Sequence, residues 1–141
     1  MLVPGDDSTR FSSAKAATLT GYVVDVRLGG LTSANCHSED PENRDIHIEL
    51  ALEPNGSSNR AKHVMAIITP RIRDQLGLEG HDLAGVSREL QSHRVTLTGW
   101  LYFDLAQAGR SANTANQGTG PQVWRATAWE LRPVTAIVEV K

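Results

Sequence analysis

Residues Trp124 to Val140 read WRATAWELRPVTAIVEV. Small and large residues alternate through the first half. After a break at Pro133, Val134, Ala136, Val138 and Val140 alternate against Thr135, Ile137 and Glu139. A period of two over so many residues is that of a long strand with one wet and one buried face. Proline removes a ladder donor, so Pro133 is expected at a bend or a sheet edge. A strand of this length needs earlier strands to pair with, because an unpaired edge invites aggregation.

Four such partners precede it. Thr18 to Arg27, TLTGYVVDVR, is rich in β-branched residues, and Gly21 inside it marks a bulge or bend. Gly29-Gly30 ends that strand, and LTSANCHSEDPENR follows as a polar surface loop. Ile46, Ile48, Leu50 and Leu52 then alternate with Asp45, His47, Glu49 and Glu53, so the second strand turns Asp45, His47 and Glu49 to solvent or to a site. A turn at Pro54 to Asn59, with Asn-Gly at its corner, leads into the third strand, KHVMAIITP, ended by Pro70.

Ile72, Leu76, Leu83, Val86 and Leu90 lie near helical spacing with breaks at Gly77 and Gly80, which predicts two short helices or one broken one. Arg94 to Asp104, RVTLTGWLYFD, is the fourth strand. Val95, Leu97, Gly99, Leu101 and Phe103 share one face, and Thr96, Thr98, Trp100 and Tyr102 the other. Residues 105–122, LAQAGRSANTANQGTGPQ, form a long connection of the kind that binds ligands or stays disordered.

Five strands with a helix between the third and fourth is the order of the OB-fold barrel, whose first strand bends at a glycine to serve both halves. The expected fold is therefore all-β: a five-stranded OB-fold-like barrel with a short helical segment between strands three and four. It occupies a single domain, residues 16–141, behind a flexible polar segment, residues 1–15. An open sheet or a small barrel of another topology is the alternative.

The balance of 14 basic and 16 acidic side chains gives a net charge of -2, so any polyanion site has to be a local patch. Cys36 is the single cysteine, which excludes an intrachain disulfide. Neither a signal-like apolar run near Met1 nor a stretch of about 18 apolar residues occurs, so the chain reads as soluble and without a membrane span. The cytoplasm is the default compartment, and export of a longer precursor stays open.

A set of short motifs resembles a known family. Asn35-Cys36-His37, Asp45-Ile46-His47-Ile48, Ile68-Thr69-Pro70-Arg71, Thr98-Gly99-Trp100-Leu101-Tyr102-Phe103-Asp104 and Trp129-Glu130-Leu131-Arg132-Pro133-Val134-Thr135 together are similar to small bacterial OB-like proteins. That family is generally described as nucleic-acid-binding or left uncharacterised. The resemblance spans about Gly21 to Val140 and implies a binding module. Where the family pattern has histidine, in Trp-Glu-Ile-His-Pro, this chain has Arg132, so a ligand or base at that position is replaced by a fixed positive charge.

Cys36, His37, Asp45 and His47 form a polar cluster in sequence, joined through the family motif by Glu130 and Arg132. Cysteine, histidine and aspartate are zinc ligands, and Asp45 and His47 at i and i+2 of a strand point to one side. Yet adjacent Cys-His ligands are unusual and no Cys-x-x-Cys or His-x-x-x-His anchors a site, so neither metal nor any other cofactor is called. A Cys36 nucleophile with His47 and Asp45 requires the loop to fold back. The plainer reading pairs His47 with Asp45 to hold the loop after Gly30, with Cys36 partly buried. Asp104 and Glu130 read as solvated or capping strand-end acids. Gly29-Gly30 and Gly118-Thr119-Gly120 do not match phosphate loops.

For a nucleic-acid ligand, OB barrels use aromatic platforms and a basic groove between the loops after strands one and four. Three tryptophans among seven aromatic residues fit that use, although a tryptophan in a small barrel more often fills the core or covers an end. Trp100, Tyr102, Trp124, Arg71 and Arg125 are the expected ligand contacts, drawn from a wider set that includes Tyr22, Trp129, Arg27, Arg73, Arg94, Arg110 and Arg132. The expected partner is single-stranded nucleic acid, with a protein or an oligosaccharide as alternatives, and no catalytic residue is assigned. The competing class is a metal- or cysteine-dependent enzyme centred on Cys36, His37, Asp45 and His47.

Overall fold

The computed structural model describes residues 6–54, 56, 58–76, 82–114 and 122–141. Its strands are β1 (Ala16–Leu28), β2 (Ile46–Ala51), β3 (Val64–Ile68), β4 (Arg94–Phe103) and β5 (Trp129–Glu139), with helices α1 (Pro70–Arg73) and α2 (Leu83–Leu90) between β3 and β4. The strands close into one barrel in the order β1, β2, β3, β5, β4. Among these five strands only β3 and β5 pair in parallel. The fold class expected from the sequence is thus the one found.

β1 serves both halves of the barrel. Its first half pairs with β4, from Ala16 opposite Trp100 to Tyr22 opposite Arg94, and its second half pairs with β2, from Tyr22 opposite Ala51 to Leu28 opposite Ile46. Gly21 lies at the changeover, where a Cβ would stand 2.8 Å from the Ala51 carbonyl oxygen. Only glycine lets the two backbones approach so closely.

Alternation decides what fills the barrel. Val23, Ile46, Ile48, Leu50, Ala66, Ile68, Val95, Leu97 and Leu131 point inward and are buried. Each fully buried aliphatic side chain of this kind contributes about 1.5–3 kcal/mol. α2 starts at Asp82, whose side chain accepts a hydrogen bond from the Gly85 amide at 2.9 Å, and sets Val86 and Leu90, one turn apart, into the core. It follows the Ile68 end of β3 and closes that end of the barrel. The predicted breaks at Gly77 and Gly80 lie outside the described residues.

β5 departs from the simple alternation read in the sequence. The pairing with β4 shifts register around Gly99, and its partners run Leu101 with Leu131, Gly99 with Val134 and Thr98 with Ala136. Each of the two extra residues on β5 exchanges the two faces, as a bulge does. Val134 is buried and Ile137, not Ala136, returns to pack on the core, leaving Val138 61% exposed. Pro133 sits at this irregularity, so the expected bend is present, and it also lies past the end of the β3 ladder, which pairs only Glu130 and Leu131 of β5. The Arg132-Pro133 peptide bond is cis. Trp124 to Ala128, read as part of the strand, precedes it and belongs to the loop that covers the barrel.

Residues 6–15 run beside that cover. Asp7 is 4% exposed, its carboxylate accepting from Thr114 Oγ1 at 2.6 Å and from Thr127 Oγ1 at 2.5 Å. Its backbone carbonyl accepts from the Trp129 indole at 2.8 Å. Among the described residues, no helix is long and apolar enough to cross a membrane.

Candidate functional site

The outward face of β2, β3 and β5 is not open. Met65 and Ile67 alternate with the core residues Ala66 and Ile68, so they point away from the barrel, yet they are 0% and 1% exposed. The end of the loop between β4 and β5 is the cover: the Ala126 amide donates to the His63 carbonyl at 2.8 Å, and Arg125 bridges onto β5. Arg125 donates from Nη2 to Glu130 Oε2 at 2.9 Å and from Nε to the Thr127 carbonyl at 2.7 Å. Both members of the ion pair are almost wholly buried.

Glu130, read as a solvated or capping acid, is therefore a correction. Strand parity turns it outward, opposite Tyr102, but the covering loop removes it from water. Burial pushes its carboxyl up to about 7, against the opposing pull of the Arg125 guanidinium.

Beside the cover, three guanidinium groups surround one indole. Arg27, Arg60 and Arg125 lie 5.3, 5.2 and 5.3 Å from the Trp124 ring centroid, within range of cation–π attraction. The Trp124 Nε1 donates to Gln107 Oε1 at 3.1 Å, fixing the ring. A cleft of about 330 Å³ opens here between the Leu28–Gly30 segment and the loop after β4, and Arg110 and Asp104 also line it. Arg110 is exposed and makes no ion pair among the described residues.

Glu49 anchors this cluster from beneath. Its carboxylate accepts from Arg60 Nε and Nη2 at 3.0 Å each, from Arg27 Nη1 at 2.7 Å and from His63 Nδ1 at 2.7 Å. Burial alone would raise the Glu49 carboxyl, but the hydrogen bonds from Arg60, His63 and Arg27 hold it at about 2. Arg27 shares its Nη1 with Asp25 at 2.7 Å. The fork of Arg60 on a carboxylate is the strong, directional kind of pair. Arg60 was not among the arginines singled out from the sequence, and no local pattern marks it: only the hairpin after β2 brings it over Glu49.

His47 also lines the cleft. Burial and the neighbouring Arg27 charge lower its pKa to about 4, against Asp45, so the ring is neutral near pH 7. A Cβ on Gly29 would lie 2.6 Å from His47 Nε2, which is why the backbone above the ring is glycine.

The residues grouped in sequence as a polar cluster do not form one site. Asp45 accepts from Asn35 Nδ2 at 3.0 Å and pairs with Arg132 at 3.0 Å, so it ties the loop after β1 to β5 through these partners and not through His47. Cys36 is exposed, correcting the expectation of partial burial. It and the exposed His37 adopt left-handed backbone angles, φ 55° and 51°, at the end of a short 3-10 turn. Among the described residues no three cysteine, histidine or acidic side chains converge as a metal set.

The expected ligand contacts are spread over more than one surface. Tyr102, 42% exposed, lies 5.3 Å from the Arg132 guanidinium, and Trp100, 48% exposed, is two residues away on the same strand face. Arg71 lines a separate groove with Asn35, Cys36 and Pro70. Trp129, 7% exposed, is core, set edge-on to Phe11 and Phe103. Gly118-Thr119-Gly120 lies outside the described residues. Compared with known proteins, the chain matches no family model and no curated protein.

Proposed function

We propose that this chain is a non-enzymatic binding module that holds single-stranded nucleic acid in the cleft around Trp124. The observation that carries the reading is the set of three guanidinium groups, Arg27, Arg60 and Arg125, gathered 5.2–5.3 Å from the Trp124 ring centroid beside the exposed Arg110. Unpaired bases stack on aromatic rings and on arginine planes alike, and phosphates need cations with free donors. Arg60 offers the outermost plane, with 51% of its side chain exposed. Arg110 supplies the free charge. Arg125, being buried, holds Trp124 in place.

The closed barrel with strand order β1, β2, β3, β5, β4 is compatible with such a module, and the cleft lies between the loops after β1 and β4. The resemblance to small OB-like proteins points the same way. Because Glu49, Asp25 and Glu130 neutralise much of the arginine charge, binding is expected to be modest. With about three phosphates engaged, log affinity should fall with log salt at a slope of about -2.

The test is fluorescence anisotropy of labelled single-stranded DNA and RNA at low and near-physiological salt. Saturable binding should weaken with Trp124→Ala by about 1–3 kcal/mol and with Arg110→Glu, an exposed change that leaves the fold alone. Absence of binding at low salt would turn the search to protein or oligosaccharide partners.

A further inference from the structure

The end of the barrel opposite α2 holds a second cavity, of about 790 Å³. It opens where β3 and β5 begin and β4 ends, and Ala17, Leu19, Val64, Leu101 and Trp129 form its wall. The first four pack on the core from its edge without being fully buried. Phe11 leans over the opening, 46% exposed, with its ring 5.7 Å from Trp129. An apolar barrel mouth of this size matches the volumes that hold small organic ligands.

The charges around the mouth are arranged by depth. Asp7 and Glu130 are buried among the lining residues. Both are already engaged, Asp7 by Thr114 and Thr127 and Glu130 by Arg125. Arg10 and Lys15 stand at the rim, exposed. Neither makes an ion pair among the described residues. A ligand that matches this pattern has an apolar tail for the wall and one negative charge for the rim. A cation would meet the Arg10 and Lys15 charges at the rim first.

We infer that the barrel mouth is a binding site for a free medium-chain carboxylate, its chain against Leu19, Val64, Leu101 and Trp129 and its carboxylate between Arg10 and Lys15. This site is distinct from the Trp124 cleft and does not depend on the reading given to that cleft.

The indole of Trp129 provides the reporter, because its N–H is held by the Asp7 carbonyl and its ring lines the cavity. Sodium decanoate, below the concentration at which it self-associates, is titrated into the full chain while the tryptophan indole resonances are followed by nitrogen-proton NMR. Decanol serves as the uncharged comparison. The expected result is a saturable shift of the Trp129 resonance with Trp124 and Trp100 unmoved. The rim variant Arg10→Glu/Lys15→Glu, confined to exposed positions, should weaken decanoate about tenfold and leave decanol unchanged. No saturable Trp129 shift would overturn the proposal, as would a shift centred on Trp124 or a decanoate affinity indifferent to the rim charges.

Discussion

The Arg125 guanidinium meets the Glu130 carboxyl at 2.9 Å with only 2% and 3% of the two side chains exposed. Removing one partner from such a pair strands the other away from water. Arg125→Met is expected to destabilise the fold by up to about 3–5 kcal/mol above pH 7, where Glu130 is ionised in the paired state, measured as a fall in the urea unfolding free energy. The loss should be smaller at pH 5, where Glu130 takes up a proton and becomes neutral. A double change, Arg125→Met with Glu130→Gln, should recover part of it by removing the stranded charge.

Three groups set how stability depends on pH. Glu130, raised to about 7, makes the folded state bind more protons than the unfolded chain between the ordinary carboxylate range and neutrality, so stability rises as pH falls through that window. His47, lowered to about 4, does the reverse between its ordinary value of 6.5 and 4. Glu49, lowered to about 2, contributes stability that is intact above 4.5 and lost as pH falls towards 2. The first two oppose each other, so urea midpoints are expected to change little between pH 7 and 5 and to drop steeply below pH 4.5. Glu130→Gln should convert the upper region into a steady decline on acidification.

Gly21 is tested by a single methyl group. Gly21→Ala places a Cβ 2.8 Å from the Ala51 carbonyl oxygen, a backbone atom that cannot swing aside. A loss of about 1–3 kcal/mol is expected by denaturant titration. Gly30→Ala, with no atom within 4 Å of the new Cβ, is the matched control and should cost little.

Asp7→Ala removes the acceptor shared by the Thr114 and Thr127 hydroxyls. Two buried groups lose a partner, at about 1–3 kcal/mol for each donor left unsatisfied. The variant is expected to unfold at lower urea, and hydrogen exchange should speed at the Ala128 and Trp129 amides, which those hydroxyls accept from.

The barrel was legible because alternation is a local signal. Ile46, Ile48 and Leu50 announce an inward face by their own spacing, and Val95 and Leu97 do the same on β4. Gly21 marked the bend of β1 because glycine has few other uses inside a strand. What the spacing did not carry was the second layer. Met65, Ile67 and Glu130 sit on the outward parity, and only the return of the Trp124 to Ala128 segment buries them. The same segment brings Trp124 to Arg27 and Arg60, so the cleft depends on contacts between residues far apart in the chain. Asp7, in a polar stretch with no periodicity, gave no sign of its burial. The face changes at β5 were hidden because Val134, Ala136 and Val138 keep alternating in sequence although the backbone slips at two places.

The Asp7 clasp also bears on the order in which the molecule assembles. Its two side-chain bonds join positions 107 and 120 residues apart, and bringing such distant segments together requires closing almost the whole chain into a loop. Local hairpins such as β2 with β3 can form early. The clasp requires β4, β5 and the covering segment to be in place first, which puts it among the late steps of a topology whose long-range pairings already slow folding. In refolding experiments, quenching of Trp129 by its surroundings would therefore trail the appearance of β-structure.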